Sequence, residues 1–314
     1  MPRLATAASF IAGAALAAAI AASGCGGGGS PPAAVVTRLP VPAPTALAAA
    51  GAFVFVGQAD GTVTRRSVRG EVTATARLGG RVSHLLIAGD TLVAVVAPAN
   101  EVVVLRQEDL ARVRRARPVD GPGGAITAVA YDGQIVIADA PGHRVLRLGE
   151  RSLKVLRTFP LPGGAVPASL AANRDAYVAT TGATRAAVRL GFDDGTVRVR
   201  PLPVLGGGPC GIAVYTNRNV TVVTATGIAT LQPGTVDHPY ALPVEGGVRG
   251  IVGVSDDSAL VTAGGHLVDV GYDGRTRVLA DVPEGAVCGT TGIVGEVWLL
   301  DTAGQQLVRV RPPE

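Results

Sequence analysis

The chain has 314 residues, 47% of them apolar but only 4% aromatic, with 43 glycines and 22 prolines. Its 28 basic and 24 acidic side chains give a formal charge of +4, too weak and too dispersed for a nucleic-acid footprint. No P-loop, paired Cys-x-x-Cys, zinc-protease helix or nucleophile elbow is present, which removes the common sequence-readable chemistries.

The first 24 residues read as an export signal. Arg3 supplies a positive start, Ala8 to Ala22 is an apolar run, and small residues precede Cys25. The run is too short and too alanine-rich for a membrane span, which needs about twenty strongly apolar residues. Ala22-Ser-Gly-Cys25 resembles the lipobox of bacterial lipoproteins, with alanine where leucine is commonest. The resemblance implies that Cys25 is lipidated, becomes the mature N-terminus and anchors the protein on the extracytoplasmic side of a bacterial membrane. Residues 25–33, with Gly26 to Gly29, Ser30 and two prolines, read as a flexible tether. Removing the leader takes away Arg3 and leaves 27 basic and 24 acidic side chains.

From about Pro40 to the C-terminus the chain repeats every forty residues or so, four strand-like runs per unit, as in the blades of a β-propeller. Val35 to Pro42 resembles a fourth strand with no blade of its own. Second strands follow at Phe53 to Gln58, Leu92 to Ala97, Ile135 to Asp139, Ala176 to Thr181, Val220 to Ala225, Ala259 to Ala263 and Val297 to Asp301, making seven. Third strands come after short turns, at Gly61 to Val68, Glu101 to Gln107, Arg144 to Gly149, Arg185 to Phe192, Gly227 to Gln232, His266 to Tyr272 and Gln306 to Arg311. Asp60-Gly61, Asp132-Gly133, Asp194-Gly195 and Asp273-Gly274 supply hairpin chemistry at strand junctions. The seventh unit lacks a fourth strand, because the chain stops at Pro312-Pro313-Glu314. An open ring would leave two sheet edges unpaired, so the N-terminal strand is expected to complete blade seven. The fold class is all-β, a seven-bladed propeller in one domain spanning residues 34–314.

Ile137-Ala-Asp-Ala-Pro-Gly-His-Arg-Val-Leu146 and Leu299-Leu-Asp-Thr-Ala-Gly-Gln-Gln-Leu-Val308 resemble the NHL repeat, whose units build propellers. The match covers about a quarter of the chain and fades where Ala97, Thr180, Thr224 and Thr262 replace the aspartate. The resemblance implies that Asp139 and Asp301 are structural, accepting backbone amides in the turn that also holds His143. Propeller relatives include the gluconolactonase group, virginiamycin B lyase-like proteins and amidating lyases, which gather carboxylates or histidines in the channel around a cation. Here His84, His143, His238 and His266 fall at different places in their blades. The inner strands Ile126 to Tyr131, Ala168 to Ala172 and Ile251 to Val254 carry almost no carboxylates. Neither a catalytic residue, nor a metal site, nor a cofactor is therefore assigned.

Gly206-Gly-Gly-Pro-Cys-Gly211 fits GxGxxG but leads into a strand, where a nucleotide site needs a helix N-terminus. Arg112, Arg114, Arg115 and Arg117 fall on the outer strand of blade two and read as a charged, solvated edge that deters aggregation. Polar outliers occur where innermost strands begin: His84, Cys210, Arg249 and Cys288, which would ring one mouth of the channel as a ligand-binding face. Cys210 and Cys288 occupy matching positions two blades apart, roughly 12 Å from each other, while bridged Cα atoms lie within about 7 Å. Export permits a disulfide and this geometry opposes it. The reading is an anchored, monomeric module that binds a protein or small polar ligand and no nucleic acid; the alternative is a propeller lactonase or lyase.

Overall fold

The computed structural model describes residues 34–119, 126–181, 185–201, 210–215, 219–224, 226–231, 240–292 and 295–311. The expected leader, Cys25 and the tether lie outside these residues, as do His238 and Gly206 to Pro209. The described chain opens with β1 (Val35–Pro40) and continues through seven sheets of four antiparallel strands. Blade one is β2 (Pro44–Ala50), β3 (Phe53–Gln58), β4 (Thr62–Ser67) and β5 (Val72–Arg77). Blade two is β6 (Arg81–Ala88), β7 (Thr91–Ala97), β8 (Glu101–Arg106) and β9 (Arg112–Ala116). Blade three is β10 (Ile126–Tyr131), β11 (Gln134–Asp139), β12 (Arg144–Gly149) and β13 (Val155–Pro160). Blade four is β14 (Val166–Ala172), β15 (Asp175–Thr181), β16 (Ala186–Gly191) and β17 (Val197–Pro201). Blade five is β18 (Ile212–Tyr215), β19 (Asn219–Val223), β20 (Gly227–Leu231) and β21 (Tyr240–Pro243). Blade six is β22 (Val248–Val254), β23 (Ser258–Ala263), β24 (His266–Gly271) and β25 (Thr276–Asp281). Blade seven is β26 (Ala286–Thr291), β27 (Val297–Asp301) and β28 (Gln306–Arg311), with β1 as its outer strand.

The N-terminal strand closes the ring as the sequence predicts. β1 pairs antiparallel with β28 from Val35 opposite Arg311 to Pro40 opposite Gln306. A second bond shows that the closure reproduces an ordinary blade. In blade three the residue after the fourth strand, Leu161, donates its N–H to His143 O in the turn between second and third strands (2.8 Å). In blade seven Val41 donates to Gln305 O (2.9 Å), and Leu78, Val244 and Val282 repeat the bond in blades one, five and six. Val41 is buried like those counterparts, against Val54 and Val56 of blade one and Trp298, Leu300 and Leu307 of blade seven.

Apolar clusters fill the seams between neighbouring sheets, built mainly from valine, alanine, leucine and isoleucine, with Trp298 and Phe55 among the largest fully buried side chains. Small β-branched residues suit this job because they let pleated sheets approach closely while losing little rotamer freedom. The four Asp-Gly turns divide into two kinds. Only Asp132-Gly133 puts both residues at positive φ, 47° and 68°. In the others the aspartate Oδ1 accepts the N–H of the residue two positions on: Thr62 (2.9 Å), Thr196 (2.9 Å) and Arg275 (3.0 Å). On the outer strand of blade two, Arg115 and Arg117 both donate to the buried Glu101 carboxylate, so half of the basic run is paired and half is solvated.

Candidate binding site at the channel mouth

Innermost strands run side by side around the channel, and five of them carry a β-bulge near their start. The extra residues are Thr45, Ser83, Ala168, Arg249 and Val287. A bulge increases local twist and re-aims the neighbouring side chains, so the same backbone device recurs at one end of the ring. Bonds from blade to blade knit this end. Thr45 Oγ1 donates to Val82 O (2.6 Å), Gly211 N–H to Ser169 Oγ (3.1 Å), Ile251 N–H to Cys210 O (2.9 Å) and Thr262 Oγ1 to Val287 O (3.1 Å).

The structure overturns the expectation of separated thiols. Cys210 and Cys288 are joined by a disulfide with their Cα atoms 5.7 Å apart. Two features bring them together. First, they are not at matching positions: Gly211, which accepts the N–H of Val223, is the counterpart of Cys288 opposite Leu300, so Cys210 stands one residue earlier. Second, the intervening strand of blade six passes the bridge at Gly250. A Cβ there would lie 2.2 Å from Val287 O and 3.3 Å from Cys210 Cβ. Lacking that atom, blade six lets blades five and seven converge across it, which a regular ring would forbid.

Of the four predicted mouth residues, three come together. Arg249 precedes Gly250 on β22, between the two bridged cysteines in ring order, and is exposed. Its guanidinium has no hydrogen-bond or ion-pair partner among the described residues, so an exposed guanidinium stands beside the bridge. His84 lies apart, on blade two opposite Val95. Its face of β6 continues through Leu86 and Ala88 into the cluster shared with blade three, so the imidazole points into that seam. Neither ring nitrogen has a hydrogen-bond partner among the described residues, and burial pushes its pKa down to about 4, which keeps it neutral.

The turns at Asp139 and Asp301 match in their bonding. Asp139 accepts the Gly142 N–H (3.2 Å) and Arg144 Nε (2.8 Å), while Asp301 accepts the Gly304 N–H (2.8 Å) and Gln306 Nε2 (2.7 Å). His143 and Gln305 sit at the same left-handed position, each with φ of 49°. His143 Nδ1 lies 3.1 Å from Ala165 O, a bond that ties blade three to the start of blade four. Among the described residues, no three His, Cys, Asp or Glu side chains gather closely enough to hold a metal ion.

No protein-family profile matches the chain, and no curated protein matches its sequence. Solved structures do match in fold. A streptogramin B lyase structure aligns with a TM-score of 0.73 at 16% identity, over 89% of this chain and 98% of that one. BamB from Moraxella catarrhalis aligns with a TM-score of 0.61 at 14% identity, over 85% and 83%. The WD40 repeats of RRP9 align with a TM-score of 0.73 at 11% identity, over 90% and 99%. Identities this low carry the propeller fold and nothing finer, since propellers host many functions.

Proposed function

We propose that the chain is an exported, lipid-anchored β-propeller of the NHL-repeat type that binds a protein or small polar ligand at the channel mouth. The observation that carries the reading is the Cys210–Cys288 bridge beside the exposed Arg249, which has no partner among the described residues. The bridge stiffens the mouth, and structural disulfides persist in oxidising compartments, in keeping with the leader and Cys25. An exposed guanidinium on that rigid mouth suits a ligand with a carboxylate or another anionic group. The domain limits are the leader at 1–24, the tether at 25–33 and the propeller from 34 onward.

Capture from envelope extracts with the wild-type chain and with Arg249→Glu, followed by mass spectrometry, tests the reading. A partner held by the wild type and lost with the variant is the expected result; identical captured sets contradict it. Cys25→Ala should move the protein out of the membrane fraction, and unchanged partitioning contradicts the anchor. The alternative, a propeller lactonase or lyase, draws on the likeness to streptogramin B lyase, which is one of fold. It needs imidazoles or carboxylates converging on the channel, whereas His84 is turned into a seam and Asp139 and Asp301 are held in their turns.

A further inference from the structure

We infer that the outer edge shared by blades six, seven and one rests on an anionic phospholipid bilayer, so that the anchored ring stands edge-on with both ends of its channel open. The inference rests on the lipid-anchor reading of Cys25. Among the described residues, all the large aliphatic side chains that remain exposed lie on fourth strands. In this sector they are Val35, Val278 and Val72, which are 60%, 58% and 50% exposed. The same three strands present Arg38, Arg277 and Arg77 to solvent. The edge is continuous: β1 contacts β25, and on its other side Leu39 packs over Gly70 in the turn leading into β5.

Acidic groups along this edge are few and mostly occupied. Asp281 is bound to His266 (2.8 Å) and Asp273 to Arg275 (3.4 Å), leaving Glu71 beside Arg69. Aliphatic side chains that enter the headgroup boundary, together with arginines that meet phosphate, form an interfacial binding surface for anionic lipid. The tether selects this sector. Cys25 precedes Val35 by ten residues, a reach of at most about 35 Å. Blades three and four carry a comparable edge at Val155, Leu156, Val197 and Val199, but on the far side of the ring from β1.

Charge also disfavours laying the end opposite the Arg249 mouth on the membrane. The turns joining first to second strands hold Asp90, Asp132, Asp256, Asp257 and the buried Glu296 against Arg174 among the described residues, so an anionic surface repels that end of the ring. Edge-on placement leaves the Arg249 mouth accessible to a ligand.

The test uses the full chain, purified in detergent and reconstituted into phosphatidylcholine vesicles with or without one quarter phosphatidylglycerol, followed by flotation and hydrogen exchange. The expected result is flotation with both compositions. Exchange in β1, β5 and β25 should slow severalfold in the anionic vesicles, while β13 and β17 stay unchanged. A triple variant, Arg38→Gln with Arg77→Gln and Arg277→Gln, should still float but lose the slowing. Flotation with equal exchange in both compositions overturns the edge-on placement alone, as does slowing centred on the turns at Asp90 and Asp256. A chain that floats with neither overturns the anchor, and the placement with it.

Discussion

At the scale of single residues, Gly250 decides whether two cysteines can meet. Gly250→Ala forces a Cβ against Val287 O, and overpacking of this kind costs about 1–3 kcal/mol. The expected outcome is that loss in denaturant unfolding, with a larger free-thiol fraction on alkylation. The pairing was hidden in the sequence because a regular ring keeps alternate blades apart. One signal was present: Cys210 stands thirteen residues before Val223 and Cys288 twelve before Leu300, an offset that, with Gly250 between them, lets the two meet. His84 supplies a second prediction. Its folded pKa of about 4 lies below the ordinary 6.5, so the unfolded chain binds a proton that the folded chain refuses. Stability contributed by the neutral ring is complete above pH 6.5 and declines as pH falls toward 4. Between pH 7 and pH 4.5 the wild type should lose on the order of 2–3 kcal/mol more than His84→Leu, measured by urea unfolding. Equal losses would show that the ring is solvated.

At the scale of elements, the turns at Asp139 and Asp301 act as staples between second and third strands. Each carboxylate folds over a glycine, and a Cβ at Gly142 or Gly304 would lie 2.3 or 2.2 Å from the aspartate oxygen. Asp139→Ala and Asp301→Ala each strand a backbone amide and a side-chain donor, and each should cost about 2 kcal/mol in thermal or denaturant unfolding. Asp139→Asn, which keeps an acceptor for the amide, should cost less. These elements were legible because the motif fixes its residues at fixed offsets. Most strand limits were legible to within one or two residues, since alternation and Asp-Gly turns mark them, though the innermost strand of blade six begins at Val248, three residues before the expected Ile251. The pairing of Arg115 and Arg117 with Glu101 was not, because it depends on which side chains two neighbouring strands place on one face.

For the whole molecule, closure by β1 is a stability claim. Val41 is fully buried and Val36 and Leu39 half-buried at the seams beside blades six and one, worth about 4 kcal/mol together. Deleting residues 34–41 should lower the melting temperature by roughly 10 °C. The disulfide does not replace this strand, because it joins blade seven to blade five rather than to blade one. An unchanged melting temperature would mean that another segment covers β28. The ring was readable from the repeat and its missing strand. The geometry of the proposed mouth site was not, because it is specified by bulges and a bridge between blades rather than by a contiguous motif. The most direct test of the account is a non-reduced peptide map of the alkylated protein purified from the envelope. A cross-linked species joining the Cys210 and Cys288 peptides is predicted; both cysteines recovered alkylated, with no such species, would contradict the clamped mouth and the oxidising-compartment reading built on it.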